Sequence, residues 1–154
     1  MKIERKDSVT RVVIDFVVLS GVFHFAWEVL QAPLFSSLDD DSHFAGVVEC
    51  GWATFGDILI MIAAFLVARV LAGRAWNMSA FGRGVFVFLA VGLVATIALE
   101  YLNTEILGRW TYVPEMPRLP ILGTGLAPIA QWLVIPLVVL WYLRRLHPYP
   151  ADER

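Results

Sequence analysis

Four long apolar segments, separated by short stretches rich in glycine, proline or charge, dominate the pattern of this chain. They cover residues 12–32, 48–72, 85–106 and 126–146. Each reaches the roughly 20 apolar residues that a helix needs to cross a bilayer. Because lipid offers no partners for free backbone N–H and C=O groups, spanning segments must be helical. The pattern therefore predicts an all-α protein with four transmembrane helices.

Residues that begin or end helices bound these segments. Pro33 follows the first, Gly73 follows the second, Gly82 precedes the third and Gly125 precedes the fourth. Proline and glycine at such positions are typical of helix ends. Short connections between long helices favour an antiparallel four-helix bundle. No repeat or linker divides the chain, so we expect residues 1–154 to form a single membrane domain.

The composition agrees with a membrane protein and excludes several other classes. Hydrophobic residues make up 58% of the chain and charged residues 17%, against roughly 25% charged residues in soluble domains. A small domain cannot bury so much apolar surface in one core. The net charge of −2 leaves no broad basic face, so we expect no nucleic-acid partner. The single cysteine, Cys50, excludes an intrachain disulfide and a cysteine-based zinc site.

The cations are distributed unevenly between the two ends of the predicted helices. Ten of the 12 lysines and arginines fall on one side: Lys2, Arg5, Lys6, Arg11, Arg69, Arg74, Arg83, Arg144, Arg145 and Arg154. The other side holds Arg109 and Arg118, and the acidic run at 39–41. Cytoplasmic loops carry the excess of positive charge. We therefore expect a multi-pass protein of the bacterial inner membrane, with both termini in the cytoplasm.

Polar side chains inside the apolar segments share one depth. At 1.5 Å per residue they lie within about 12 Å of the outer helix ends. They are His24, Glu28, Gln31, Asp57, Glu100, Asn103 and Gln131. The inner half contains Asp15, which is spaced to pair with Arg11. The sequence thus predicts an outward-facing polar pocket on the bundle axis.

The residue types in this pocket suggest chemistry. Charged side chains inside a membrane are costly and point to a functional site by default. We take His24, Glu28, Asp57 and Glu100 as candidate catalytic groups, since a site that holds one acid neutral and another ionised suits proton transfer. The candidate ligand-binding residues are Gln31, Asn103, Gln131, Trp27, Trp110 and Tyr112. Interhelical hydrogen bonding is the alternative role of the three amides.

The outer loop at 107–125 has an unusual composition. Trp110 and Tyr112 suit the aromatic belt of a membrane interface. Prolines recur at every third position, at Pro114, Pro117 and Pro120. This spacing favours extended, polyproline-like backbone. We expect the loop to lie over the outer mouth of the bundle as a lid or a membrane-surface cover, with an ordinary connecting loop as the alternative.

Two sets of motifs resemble known membrane proteins. The first set is carried by His24 and Glu28, Gly56 and Asp57, Trp110 and Tyr112, and Gln131 and Trp132. Together these residues resemble a group of small bacterial four-span membrane proteins. That resemblance implies the membrane bundle and no particular reaction.

The second resemblance rests on the His-x-x-x-Glu spacing of His24 and Glu28, followed by Gln31, an alanine and Pro33. This motif is similar to motifs of the EXPERA superfamily, which includes emopamil-binding and sigma-2-receptor-like proteins. The resemblance implies membrane helices around a polar pocket for sterol-like ligands. It also implies that His24 and Glu28 form an acid/base pair.

These observations predict a pocket that binds an amphipathic lipid or isoprenoid-like molecule. Acid/base action on that molecule would make the protein an isomerase- or cyclase-like enzyme, and the sequence indicates no particular cofactor. We expect a cavity of about 300–1,000 Å³, the usual size of small-molecule sites. One alternative is a metal site formed by His24, Glu28, Asp57 and Glu100. Others are a proton-relay subunit, a homo-oligomer and an accessory subunit of a larger membrane complex.

Overall fold

The structure is a computed structural model that describes residues 2–36, 43–73, 76–78 and 82–148. Its long elements are α1 (Lys2–Gln31), α2 (His43–Ala72), α3 (Arg83–Tyr101) and α4 (Leu126–Leu146). The acidic run at 39–41, and Arg74 and Arg154 of the cation count, lie outside the described residues.

The predicted all-α class and the four helices are confirmed. Each helix is long and apolar enough to cross a membrane, and within the described ranges the β-structure is limited to isolated bridges. The predicted helix ends also hold: Gly73 follows α2 with a φ of 89°, and Pro33 lies in a single 3-10 turn, Ala32–Leu34, after α1. The left-handed φ explains the glycine, because larger residues are strained there.

A π-helical turn, Leu102–Ile106, extends α3. The sequence pattern did not predict it. The backbone N–H of Leu107 donates to the carbonyl of Leu102 at 2.8 Å, and that of Arg109 donates to the carbonyl of Asn103 at 2.9 Å. Such turns are frequent at functional sites. Here the turn holds Arg109 close to the end of α3.

Each helix packs against two neighbours in the cyclic order α1, α2, α3, α4. Aromatic rings fill one end of the bundle, where Trp76 lies 5.1 Å from Phe65 and 5.2 Å from Phe88 between ring centroids. Trp132, fully buried, continues this core toward the other end. Only 17–44% of the apolar window of each helix is buried, so most of the apolar surface faces outward.

The segment 107–125 is fastened to the end of α1. Val113 N–H donates to the carbonyl of Leu34 at 3.1 Å, and Phe35 and Tyr112 form a second small core together with Met116. The proline spacing favoured extended, polyproline-like backbone over helix, and the segment contains no helix but is interrupted by turns. Turns lie at 114–115 and 120–122, with a bend at 116. Proline fits turns as well as polyproline helices, and the backbone hydrogen bonds made here are ones that a polyproline helix lacks.

Candidate functional site

The side-chain amide of Gln131 lies at the centre of the polar cluster. Gln131 is 2% exposed. Its Nε2 donates to Oε1 of Glu28 at 2.9 Å and to Oδ2 of Asp57 at 2.8 Å, and lies 2.9 Å from Nδ1 of His24. Its Oε1 accepts from Nε2 of Gln31 at 3.3 Å. One amide therefore joins polar side chains of α1, α2 and α4.

Helical spacing explains why α1 supplies three members of this cluster. His24, Glu28 and Gln31 are separated by four and three residues, which places them on one face. Gln31 also donates to Oε1 of Glu28 at 2.9 Å. The structure thus brings together five of the predicted site residues: His24, Glu28, Gln31, Asp57 and Gln131.

Proton counting defines the contact between His24 and Asp57. A primary amide nitrogen carries two hydrogens, but Nε2 of Gln131 has three close neighbours. Nδ1 of His24 also lies 3.2 Å from Oδ2 of Asp57. Each hydrogen has an acceptor when the two N–H groups of Gln131 donate to Glu28 and Asp57 and His24 donates from Nδ1 to Asp57.

The other ring nitrogen of His24 supports this tautomer. Nε2 is buried and has no hydrogen-bond partner among the described residues. With the hydrogen on Nδ1, only a lone pair is left without a partner, whereas the opposite tautomer would bury an unsatisfied N–H group. His24 is fully buried and its ring lies 5.9 Å from that of Trp132. The buried ring therefore orients the carboxyl group of Asp57 through the contact at Nδ1.

The carboxyl groups of Glu28 and Asp57 form a pair. Both accept from the same amide nitrogen, so the two carboxyl groups lie close together. Carboxyl groups that share a site disfavour being ionised at the same time. The pair can therefore hold an acid and a base side by side.

Glu100 lies apart from this amide-centred cluster. The hydroxyl of Tyr112 donates to Oε2 of Glu100. Burial, and next the charge of Glu100, raise the pKa of Tyr112 above its ordinary value, which keeps the phenol protonated as a donor. Arg118 donates to the carbonyl of Tyr112 at 2.9 Å and lies 5.1 Å above its ring. Glu100 thus fastens the segment 107–125 to α3.

A cavity of about 770 Å³ lies at this end of the bundle. Its polar wall includes Glu28, Asp57, Thr96, Glu100, Asn103 and Gln131. Trp52, Ala53 and Leu99 also line it and are themselves exposed. The cavity wall therefore includes exposed apolar side chains of α2 and α3.

Two deep residues of the cavity wall carry atoms without hydrogen-bond partners in the described part of the chain. They are Oγ1 of Thr96 and Oδ1 of Asn103. Thr96 is 6% exposed and Asn103 is 8% exposed. Leaving a buried polar atom unsatisfied is unfavourable. A hydrogen-bonding molecule in the cavity would supply the partner that each atom lacks.

Several predicted site residues lie elsewhere. Trp110 lines the cavity, but His24, Trp27 and Tyr112 do not belong to its wall. Trp27 donates from Nε1 to Oε1 of Gln31 at 3.1 Å and packs partly against the core. The assignment of Trp27 and Tyr112 to ligand binding stays a prediction, and in this structure both side chains hydrogen-bond to the protein itself.

The sequence pattern did not single out Glu49, which lies near the start of α2. Glu49 lines the cavity together with Ala53, Gly56 and Asp57. Glu49, Ala53 and Gly56 are spaced by four and three residues, which puts them on one helix face. That spacing could have revealed Glu49, whose position at the exposed end of α2 hid its relation to Asp57.

The opposite end of the bundle has a separate polar contact. Nε2 of His147 lies 2.7 Å from Oδ2 of Asp15. The sequence had suggested Arg11 as the partner of Asp15. Packing of the end of α4 beside α1 brings His147 into contact instead.

Within the described residues, no group of three or more His, Cys, Asp or Glu side chains is arranged to hold a metal ion. The four proposed metal ligands are divided between two places. His24, Glu28 and Asp57 surround Gln131, whereas Glu100 turns to Tyr112.

These features define the class as an all-helical protein of four membrane-compatible helices, with a cavity at one end of the bundle. No family model matches the chain, and neither the curated proteins nor the solved structures include a significant match. The two motif resemblances stay predictions. The function is therefore argued from the site.

Proposed function

We propose that this chain is a multi-pass protein of the bacterial inner membrane, folded as an antiparallel bundle with both termini in the cytoplasm. The exposed apolar faces of all four helices support insertion, since soluble monomers rarely expose large contiguous apolar patches. Contacts between α1 and α4 support the antiparallel order. Asp15 meets His147 at one end of this helix pair, and Gln31 meets Gln131 at the other.

The proposed function is to bind an amphipathic lipid or isoprenoid-like molecule in the cavity. The observation that carries this proposal is the make-up of the cavity wall, which joins exposed apolar side chains of α2 and α3 to the carboxyl groups of Glu28 and Asp57. The volume of about 770 Å³ suits a small-molecule site. An apolar tail would lie beside Trp52 and Leu99, and the head group would reach the carboxyl pair.

A second candidate function, acid/base chemistry on the bound molecule, is favoured by the paired carboxyl groups. Glu28 and Asp57 accept hydrogen bonds from one amide nitrogen. Two adjacent carboxyl groups that share a proton can supply an acid and a base to one ligand. In this proposal His24 is a positioning residue, because its contact with the site runs through Asp57 and Gln131.

The binding proposal is tested by extracting the protein into lipid nanodiscs and identifying retained molecules and metals by mass spectrometry. The blocking variant is Ala53→Trp, which puts a bulky indole ring into the wall of the cavity. The matched control is Ala63→Trp, since Ala63 is exposed on the same helix and does not line the cavity. We expect a molecule that the wild type and Ala63→Trp retain and Ala53→Trp loses.

Retention of the same molecule by Ala53→Trp would contradict binding in the cavity, as would a wild-type protein that retains only bulk lipid. A stoichiometric metal would instead support the metal-site alternative. Co-purification of a defined protein partner, without any retained small molecule, would favour the accessory-subunit alternative.

A further inference from the structure

We infer that the cavity selects a lipid whose head group donates hydrogen bonds, a hydroxyl or a protonated amine, over one with a phosphate or carboxylate head group. This inference rests on the proposed binding function. It follows from the chemical character of the atoms that the wall leaves available.

The side-chain oxygen of Asn103 is an acceptor, and the hydrogen bond made by the side-chain nitrogen shows which of the two atoms it is. Its Nδ2 donates to the carbonyl of Leu99 at 2.7 Å. If the amide nitrogen and oxygen of Asn103 were exchanged, its oxygen would face the carbonyl oxygen of Leu99, and neither atom could donate. Oδ1 is therefore the atom without a partner in the described structure. An amide oxygen accepts hydrogen bonds and does not donate them. A ligand atom that meets Oδ1 must therefore carry a hydrogen.

The carboxyl groups add further acceptors to the same wall. The contacts of Glu28 with Gln31 and Gln131 fall on Oε1 alone, and Tyr112 occupies Oε2 of Glu100. Their second oxygens are not used in these contacts. Glu28, Asp57 and Glu100 all line the cavity, so its deep part carries acidic groups from three helices.

The cation of the cavity wall lies at the mouth. Arg109 lines the cavity but is exposed, and the exposed Glu49 lines it as well. The available hydroxyl of Thr96 can accept as readily as it donates. An anionic head group would therefore meet its favourable charge at the exposed Arg109 and acidic side chains elsewhere in the wall, whereas a donor head group would find an acceptor at Asn103.

The test uses four photoactivatable probes with the same alkyl chain and diazirine, ending in an alcohol, a primary amine, a carboxylic acid or a phosphate monoester. The protein is held in nanodiscs of zwitterionic phosphatidylcholine, so that the surface charge of the bilayer does not sort the probes. Labelled peptides are quantified by mass spectrometry. We expect the alcohol, the amine or both to label cavity-lining peptides at least tenfold more than the carboxylic acid and the phosphate. Ala53→Trp, but not Ala63→Trp, should remove this labelling.

Two variants test the carboxyl groups themselves. Glu28→Gln and Glu100→Gln each replace a carboxyl group with an amide that offers N–H donors, on different helices. In each variant we expect the carboxylic acid and phosphate probes to label the cavity more strongly, so that the preference for the alcohol and amine probes falls below tenfold. Because Glu28 belongs to the amide-centred cluster, Glu100→Gln keeps the test valid if Glu28→Gln fails to fold.

The outcomes separate this inference from the binding proposal. Labelling by the alcohol alone or by the amine alone supports the inference and identifies the head group. Equal labelling by all four probes that Ala53→Trp abolishes would leave the cavity function standing and overturn the selectivity. Labelling that is unchanged in Ala53→Trp, or no labelling by any probe, would overturn both the selectivity and the binding proposal.

Discussion

The indole ring of Trp132, on α4, lies directly against the backbone of Gly92, so no side chain at this position of α3 separates the ring from that helix. A Cβ atom built on Gly92 would fall 2.0 Å from Cζ3 of Trp132. Trp132 is fully buried, and the next residue toward the start of α4 is Gln131. The close approach at Gly92 therefore sets the position from which the central amide reaches Glu28 and Asp57.

Replacing Gly92 with alanine should destabilise the bundle. Alanine gains up to about 1 kcal/mol over glycine in a helix, but overpacking a buried contact costs about 1–3 kcal/mol. We expect a lower Tm for Gly92→Ala in thermal unfolding followed by circular dichroism. Gly51→Ala is the control, because a Cβ there meets nothing within 4 Å. Equal Tm values for the two variants would show that the ring moves aside freely.

Neutral replacements in the carboxyl pair should weaken ligand retention. Hydrogen bonds to charged groups contribute about 1.5–3 kcal/mol, which corresponds to roughly a 10–100-fold change in affinity. We expect Glu28→Gln and Asp57→Asn to lose the retained molecule to that extent, with membrane expression unchanged. Glu115→Gln, at an exposed position outside the cavity, should behave as the wild type. Unchanged retention in both pair variants would reject the site assignment.

The sequence alone predicted the helices and the shared face of α1 because both depend on local spacing. The apolar runs are long enough to identify each helix, and the positions of His24, Glu28 and Gln31 repeat with the helical period. Lipid also restricts the solutions, since intramembrane polar groups almost always face the bundle interior. Convergence of these residues on Asp57 and Gln131 follows from that restriction.

Contacts between distant segments could not be read from spacing. The pairing of Asp15 with His147 depends on the register between α1 and α4, and that of Glu100 with Tyr112 depends on the path of the segment 107–125. The π-helical turn after Tyr101 has no strong local signal either. These features are set by tertiary packing, which a residue pattern does not specify.

Removing the central amide should destabilise the folded state. Gln131→Leu keeps a side chain of similar size but leaves the oxygens of Glu28 and Asp57 without their shared donor. A buried polar group that loses its partner costs about 1–3 kcal/mol. We expect Gln131→Leu to lower the Tm of the wild type. In a Glu28→Gln background the same substitution should lower the Tm by less, because contacting residues are energetically coupled. Strict additivity of the two substitutions would argue against a direct contact.

Tyr112 should ionise later than an exposed tyrosine. Burial and Glu100 raise its pKa above the ordinary value of 10.0, so the folded state retains the phenolic proton that the unfolded chain releases. The linked stability is fully present below about pH 10 and decreases as the pH rises further. An alkaline titration at 295 nm in mild detergent should show a late component that Tyr112→Phe lacks. Identical titration of the remaining tyrosines in wild type and variant is the internal control, and a wild type without the late component would contradict the burial of Tyr112.

The proposed orientation is open to a direct test with single cysteines in a Cys50→Ala background. Ile121 is 95% exposed in the segment 107–125, and Leu146 is 54% exposed at the end of α4, so a thiol at either position is accessible. Neither substitution alters the cation count on which the orientation rests. In intact inner-membrane spheroplasts, a membrane-impermeant maleimide should label Ile121→Cys at once and Leu146→Cys only after the membrane is permeabilised. Immediate labelling of Leu146→Cys, with protection of Ile121→Cys, would invert the bundle and place the cavity at the cytoplasmic face.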